Sequence, residues 1–237
     1  MSDMHLHLEE HLESSDMLSD IVIGMSDGLT VPFALAAGLS GAVSGNVSLI
    51  WIAGIAEICA GSIAMGLGGY LAGKTEQDHY ASELKQEYWE LTHKREVEIE
   101  EVRKVFLDWG LSKEVAEEAT QEIIKDDDRW VDFMMKHELG LNKPDPKRAS
   151  RSAFNIGASY VVGGLIPLTP YFFVDNALKG LELSAMITLV CLFVFGYFKS
   201  KMTGINPWLG GLKVMMIGAV AAGAAFGIAR LIEGGHA

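Results

Sequence analysis

Cysteine is nearly absent: Cys59 and Cys191 are the only two in 237 residues. Both fall inside long apolar runs, which argues against a structural disulfide and reads them as small apolar packing residues. Positive charge is scarce too, with 19 Lys and Arg against 31 Asp and Glu and a formal net charge of −12. Such a balance argues against nucleic acid as a partner. The first 20 residues carry six acids and no Lys or Arg. MSDMHLHLEEHLESSD therefore has neither the basic start nor the apolar stretch of a signal peptide. Finally, glycine and proline are missing throughout 74–101, so nothing there punctuates a long helix that begins upstream.

What is present is apolar and unevenly distributed. Hydrophobic residues make up 49% of the chain, and the mean hydropathy is +0.22, too apolar for an ordinary soluble protein and too charged for a pure membrane bundle. The two compositions are segregated. Residues 74–151 hold 20 acidic and 14 basic residues, whereas five apolar runs at about 21–43, 47–72, 153–174, 181–198 and 207–232 contain very few charges. A bilayer core takes roughly 20 residues of helix to cross. The expected fold is all-α: a five-span transmembrane helical bundle with a cytoplasmic helical domain between spans 2 and 3. The expected divisions are 1–73, 74–150 and 151–237.

Orientation follows from basic residues in the short flanks. Lys143, Lys147, Arg148 and Arg151 precede the third run, and Lys199 and Lys201 follow the fourth, while the loop between the first two runs is uncharged. This predicts a cytoplasmic acidic domain and N-terminus, with the C-terminus on the far side.

Within 87–101, EYWELTHKREVEIEE, the carboxylates Glu87, Glu90, Glu98 and Glu101 fall in an arc of roughly 80° on a helix, with Glu96 and Glu100 on the opposite side. Four like charges on one stripe repel one another unless a cation lies between them. A solvated acidic face and a hard divalent-ion site both fit. On a straight helix the two pairs would stand about 16 Å apart along the axis. One ion can join them only if the helix breaks near Thr92 and His93. A second soluble helix is expected from the N-cap Ser112 to about Leu139. Near its end Met134 and Met135 read most simply as core residues, and His137 and Glu138 can close a metal cluster. Asp126, Asp127 and Asp128 read as a solvated face or loop.

The apolar runs hold acids as well. Asp20 and Asp27 lie seven residues apart on nearly one face of the first run, Asp27 about 10 Å deeper. Ionisable side chains at that depth are costly unless they face water, a partner or an ion. Gly28 and Pro32 beyond them can loosen the helix and free backbone carbonyls. In the second run Glu57, Gly61 and Met65 recur every four residues, giving a carboxylate, a gap and a thioether on one face, although Met65 alone reads as packing. No basic residue in the runs neutralises Asp27 and Glu57, which suggests a pathway for a cation or protons. The clustered glycines of the second and fifth runs suit close helix packing and a homodimer. Pro167 and Pro170 disturb the third run.

The segments DIVIGMSDGLTVPFALAAGLSG, EICAGSIAMGLGGYLAGKTEQDHY and GGLIPLTPYFF resemble the vacuolar iron transporter family of plants, fungi, apicomplexan parasites and bacteria. The resemblance covers essentially the whole chain. It implies a homodimeric, proton-coupled antiporter in a lipid bilayer that moves Fe²⁺, with Mn²⁺, Co²⁺ or Zn²⁺ as related substrates, out of the cytosol. No prosthetic group is implied. Carried over by position, Glu87, Glu90, Glu98, Glu101, Met134, Met135 and Glu138 are the cytoplasmic metal ligands. Asp27 and Met65 are pathway residues, with Asp20 and Glu57 as supporting acids. Gly61 departs from the pattern, since some members carry methionine there, and a looser membrane site is expected here.

Two competing readings are a membrane-anchored, ferritin-like di-iron oxidase and a non-transporting scaffold. Glu90 and His93 form one Glu-x-x-His, but such centres take two of these and two further glutamates from separate helices. The scaffold has no use for unneutralised acids in its spans. The short N-terminus favours a bacterial cell membrane, with a vacuolar membrane as the alternative.

Overall fold

The structure of the protein, a computed structural model, describes residues 11–42 and 46–234. The acidic segment 1–10 and most of the uncharged loop after the first run lie outside the described residues. Among the described residues there are eight α-helices and one 3-10 turn, and no strand. In order they are α1 (His11–Ala42), α2 (Val47–His93), α3 (Arg95–Asp108), α4 (Lys113–Ile123), α5 (Asp127–His137), α6 (Arg148–Leu168), α7 (Ala177–Met202) and α8 (Pro207–Gly234), with the 3-10 turn at Thr169–Phe172. Two compact units result, Met1–Tyr70 with Ser150–Ala237, and Leu71–Ala149.

In the first unit α7 packs on α8, and both pack on α1. Among the described residues four helical stretches are long and apolar enough to cross a bilayer: Asp16–Ala42, Val47–His93, Ala177–Met202 and Pro207–Glu233. Five were expected. The missing one is α6, which has helical length but carries Arg148, Arg151, Ser152, Asn155 and Ser159. Its surroundings account for that polarity. A Cβ on Gly24 of α1 would stand 2.9 Å from Ser159 Cβ, one on Gly28 would stand 2.9 Å from Tyr160 Cα, and one on Gly66 of α2 would stand 2.9 Å from the Ala153 carbonyl oxygen. Helix α6 is thus pressed against glycine faces of α1 and α2, and one side of it meets protein. Gly28 is therefore needed for close approach, and α1 runs unbroken through Pro32.

The end of α6 shows how a proline-rich segment keeps its polar groups satisfied away from water. The buried Ser184 hydroxyl donates to the Pro167 carbonyl at 2.7 Å, Thr169 Oγ1 donates to the Leu165 carbonyl at 2.7 Å, and Phe173 N–H donates to the Pro170 carbonyl. Pro167 and Pro170 terminate the helix into the 3-10 turn, whose last residue Phe172 precedes the α7 N-cap, Asn176. Backbone freed by proline is tolerated at such depth only with replacement partners of this kind.

The second unit closes over an apolar core that includes Leu91, Val102, Phe106, Trp130, Phe133, Met134 and Met135. The helix expected from Ser112 to about Leu139 is two helices. Ser112 caps α4 by accepting from Val115 N–H. The chain then breaks after Ile123, and Asp126 caps α5 by accepting from Arg129 N–H at 2.8 Å. Asp127 and Asp128 occupy the first turn of α5, where carboxylates offset the positive end of the helix dipole. The three aspartates are solvent-exposed, as expected, and they start a helix.

Candidate metal centre

The glycine- and proline-free stretch does break. Helix α2 ends at His93, Lys94 is non-helical with φ −132° and ψ 28°, and α3 starts at Arg95. Local side chains favour the break. Thr92 Oγ1 donates to the Trp89 carbonyl at 2.7 Å, and His93 Nδ1 lies 2.8 Å from the same oxygen, so hydroxyl and imidazole compete with the helical ladder. Beyond the break the turn is held against α5. Arg95 sits over the Trp130 ring at 4.7 Å and pairs with Asp127 at 3.6 Å, while Tyr88 donates to Asp128 at 2.6 Å.

Folding back at Lys94 brings glutamates of both helices together. One carboxylate oxygen each from Glu87, Glu90 and Glu98 lie within 4.8 Å of one another. Glu87 and Glu98 are almost fully buried, at 4% and 2% exposure, and the Oε2 atom of each has no hydrogen-bond partner. Burial, then the charges of Glu138, Glu90, Glu101 and Glu83, push the Glu87 carboxyl up to about 7. Burial and the charges of Glu101, Glu87, Glu90 and Glu138 push Glu98 up to about 8. Glu138, the C-cap of α5, is raised by desolvation and by Glu101 and Glu90. All five expected carboxylates therefore act on one another electrostatically, and three converge. Buried carboxylate oxygens without a hydrogen-bond partner are what a hard divalent cation compensates, as the protons leave.

Met134 and Met135 are fully buried in the apolar core of this unit. His93 is not part of the cluster: its ring stacks on Trp89 with centroids 4.3 Å apart. His137 lies against Phe133 and Trp109. The Glu-x-x-His pattern thus sends its histidine elsewhere.

In the first unit Asp20 and Glu57 are engaged by α6. Asp20, 2% exposed, accepts from Ser152 Oγ at 2.9 Å and from Asn155 Nδ2 at 3.5 Å. Glu57 accepts from the Tyr160 hydroxyl, and its Oε2 is buried without a hydrogen bond. Asp27 and Met65 are half-buried on α1 and α2. A Cβ on Gly61 would stand 2.5 Å from Tyr160 Cζ, so the gap between Glu57 and Met65 is filled by the tyrosine ring. Sequence reasoning missed Ser152, Asn155 and Tyr160. The signal for Ser152 and Asn155 was the spacing of polar residues along one face of α6.

A model of the VIT family matches residues 18–230. The chain belongs to the VIT family. It is 50% identical to "Vacuolar iron transporter 1" of Tulipa gesneriana, over 96% of this chain and 92% of that one. Identity to "Vacuolar iron transporter 1" of Arabidopsis thaliana is 48%, over 96% and 90%. "Protein CCC1" of Saccharomyces cerevisiae is 39% identical over 91% of this chain and 69% of its own. As a VIT family member with four long apolar helices, the chain is an integral membrane protein. These relatives belong to plants and yeast, and the plant ones are named for the vacuole, which gives no support to the bacterial membrane expected from the short N-terminus.

Proposed function

We propose that this VIT family chain carries Fe²⁺, and related ions such as Mn²⁺ and Co²⁺, out of the cytosol in exchange for protons. The observation that carries the reading is the convergence of Glu87, Glu90 and Glu98 across the break at Lys94, with two buried oxygens left unpaired. Glu101 and Glu138 complete the carboxylate set, and Met134 and Met135 are the sulfur ligands that the family resemblance implies. The cluster captures the ion on the cytosolic side. Asp20, Asp27 and Glu57 then offer oxygens along the membrane path and Met65 a thioether, a mixture that suits transition metals better than Mg²⁺ or Ca²⁺. Because Glu87 and Glu98 hold protons near neutral pH, capture exchanges protons for metal.

Helix α6, clasped between glycine faces of α1 and α2, is the fifth span in this reading, which keeps the N-terminus and the acidic unit in the cytosol. A groove of about 540 Å³ on the first unit, lined by Gly38, Ala221, Ala225 and Glu57 among others, suits a second copy of the chain. The relatives' names favour a vacuolar membrane over a bacterial one.

Flux of Fe²⁺ or Co²⁺ into proteoliposomes, with and without a pH gradient, tests this reading. Uptake driven by the gradient is expected, and absence of uptake for every divalent ion tried overturns it. The oxidase alternative is disfavoured by His93, which turns to Trp89, and iron-dependent oxygen consumption should be nil. The scaffold alternative leaves Asp27 and the orphaned Glu57 oxygen without a purpose.

A further inference from the structure

The geometry points to Lys94 as a tethered counter-cation of the carboxylate cluster, whose ammonium holds Glu90 and is displaced when a divalent ion is captured. This rests on the capture role proposed above and adds a competitor to it. Lys94 is the single non-helical residue between α2 and α3, four positions after Glu90. Its Nζ donates to Glu90 Oε1 at 2.8 Å, and the Glu90 side chain is only 15% exposed. Its ammonium is further stabilised by the charges of Glu98 and Glu101, so it acts on the cluster beyond Glu90.

Three neighbouring cations are engaged elsewhere: Arg95 is paired with Asp127 and Trp130, Arg103 with Glu100 and Glu117, and Lys136 with Asp132. Lys104 acts on Glu138 by its charge, whereas Lys94 is bonded to Glu90 directly. One ammonium supplies a single charge and leaves the buried Glu87 and Glu98 Oε2 atoms unpaired. A divalent ion supplies two charges and accepts several oxygens at once, so it wins the competition, but against a cation that cannot diffuse away. Lys94 therefore sets the affinity below what the carboxylates alone would give. It also recaptures Glu90 as the ion departs, which suits a site that must hand its ion on.

The test is calorimetric titration of the full-length protein in detergent with Mn²⁺ at low ionic strength. Lys94→Gln is expected to bind Mn²⁺ roughly three- to fivefold more tightly than wild type, the scale of a partly exposed ion pair, and salt should shrink that gain. Lys94→Arg, which keeps the charge, should stay close to wild type. A second readout needs no variant: acetylation of Lys94 by an amine-reactive ester, followed by mass spectrometry, should accelerate in wild-type protein saturated with Mn²⁺. Unchanged Lys94 reactivity overturns the proposal and leaves the capture reading standing. So does equal or weaker binding by a Lys94→Gln protein that melts like wild type. Failure of wild-type protein to bind Mn²⁺ overturns both.

Discussion

Replacing Glu98 with glutamine should make the metal-free protein more stable at alkaline pH while weakening its hold on metal. Glu98 is 2% exposed, and burial together with its acidic neighbours raises its carboxyl from 4.5 to about 8. In the unfolded chain the same group loses its proton near its ordinary value. Between pH 5 and 8 the native state therefore binds more protons than the unfolded one, and stability falls as pH rises through that window. The Glu98 carboxyl contributes a loss of about 2 kcal/mol between pH 6 and 8. Glutamine removes that contribution and keeps the shape.

Melting of full-length protein in detergent with chelator, followed by tryptophan fluorescence, reads the effect. Trp89, Trp109 and Trp130 all lie in the second unit. The stability difference, variant minus wild type, should be small at pH 5 and grow steadily to pH 8. Equal pH slopes for the two proteins, or a wild type that gains stability from pH 5 to 8, would refute the electrostatic account of the cluster.

Binding of Mn²⁺ near pH 6.5 should release between one and two protons, roughly, from Glu87 and Glu98; titrations in two buffers of different ionisation enthalpy give the number, which should approach zero by pH 9. Asp27→Ala should stop Fe²⁺ or Co²⁺ uptake in proteoliposomes while leaving calorimetric Mn²⁺ binding intact, and normal uptake would remove Asp27 from the pathway. Tyr160→Phe deletes the donor to Glu57 and should lower stability by about 1–3 kcal/mol, the usual cost of stranding a buried polar group. Its thermal melt should shift down, and an unchanged melt would mean that the tyrosine hydroxyl is not needed there.

Much of this site was legible because charge periodicity is a one-dimensional signal. Glu87, Glu90, Glu98 and Glu101 lie on one stripe by spacing alone, and the distance between the two pairs demanded a break close to where Lys94 supplies it. The identity of the break was less legible, since Thr92 and His93 disrupt the ladder by a local competition for the Trp89 carbonyl that hydrophobic periodicity does not register. The second soluble helix was read as continuous because Ile123 and Val131 keep a helical spacing across the interruption, and the capping role of Asp126 depends on a backbone angle. Tyr160 was invisible for a different reason. Its importance arises from the bare face of Gly61 on another helix, a tertiary fact. Helix α6 was read correctly as long and helical, but its polar side makes sense only once Gly24, Gly28 and Gly66 are seen against it.

Anomalous diffraction from crystals of the full-length protein grown with Mn²⁺ addresses the capture site most directly. One manganese peak enclosed by the carboxylates of Glu87, Glu90 and Glu98 is expected, reached from both sides of the break at Lys94. Manganese bound elsewhere in the chain, with no peak among those three side chains, would contradict it.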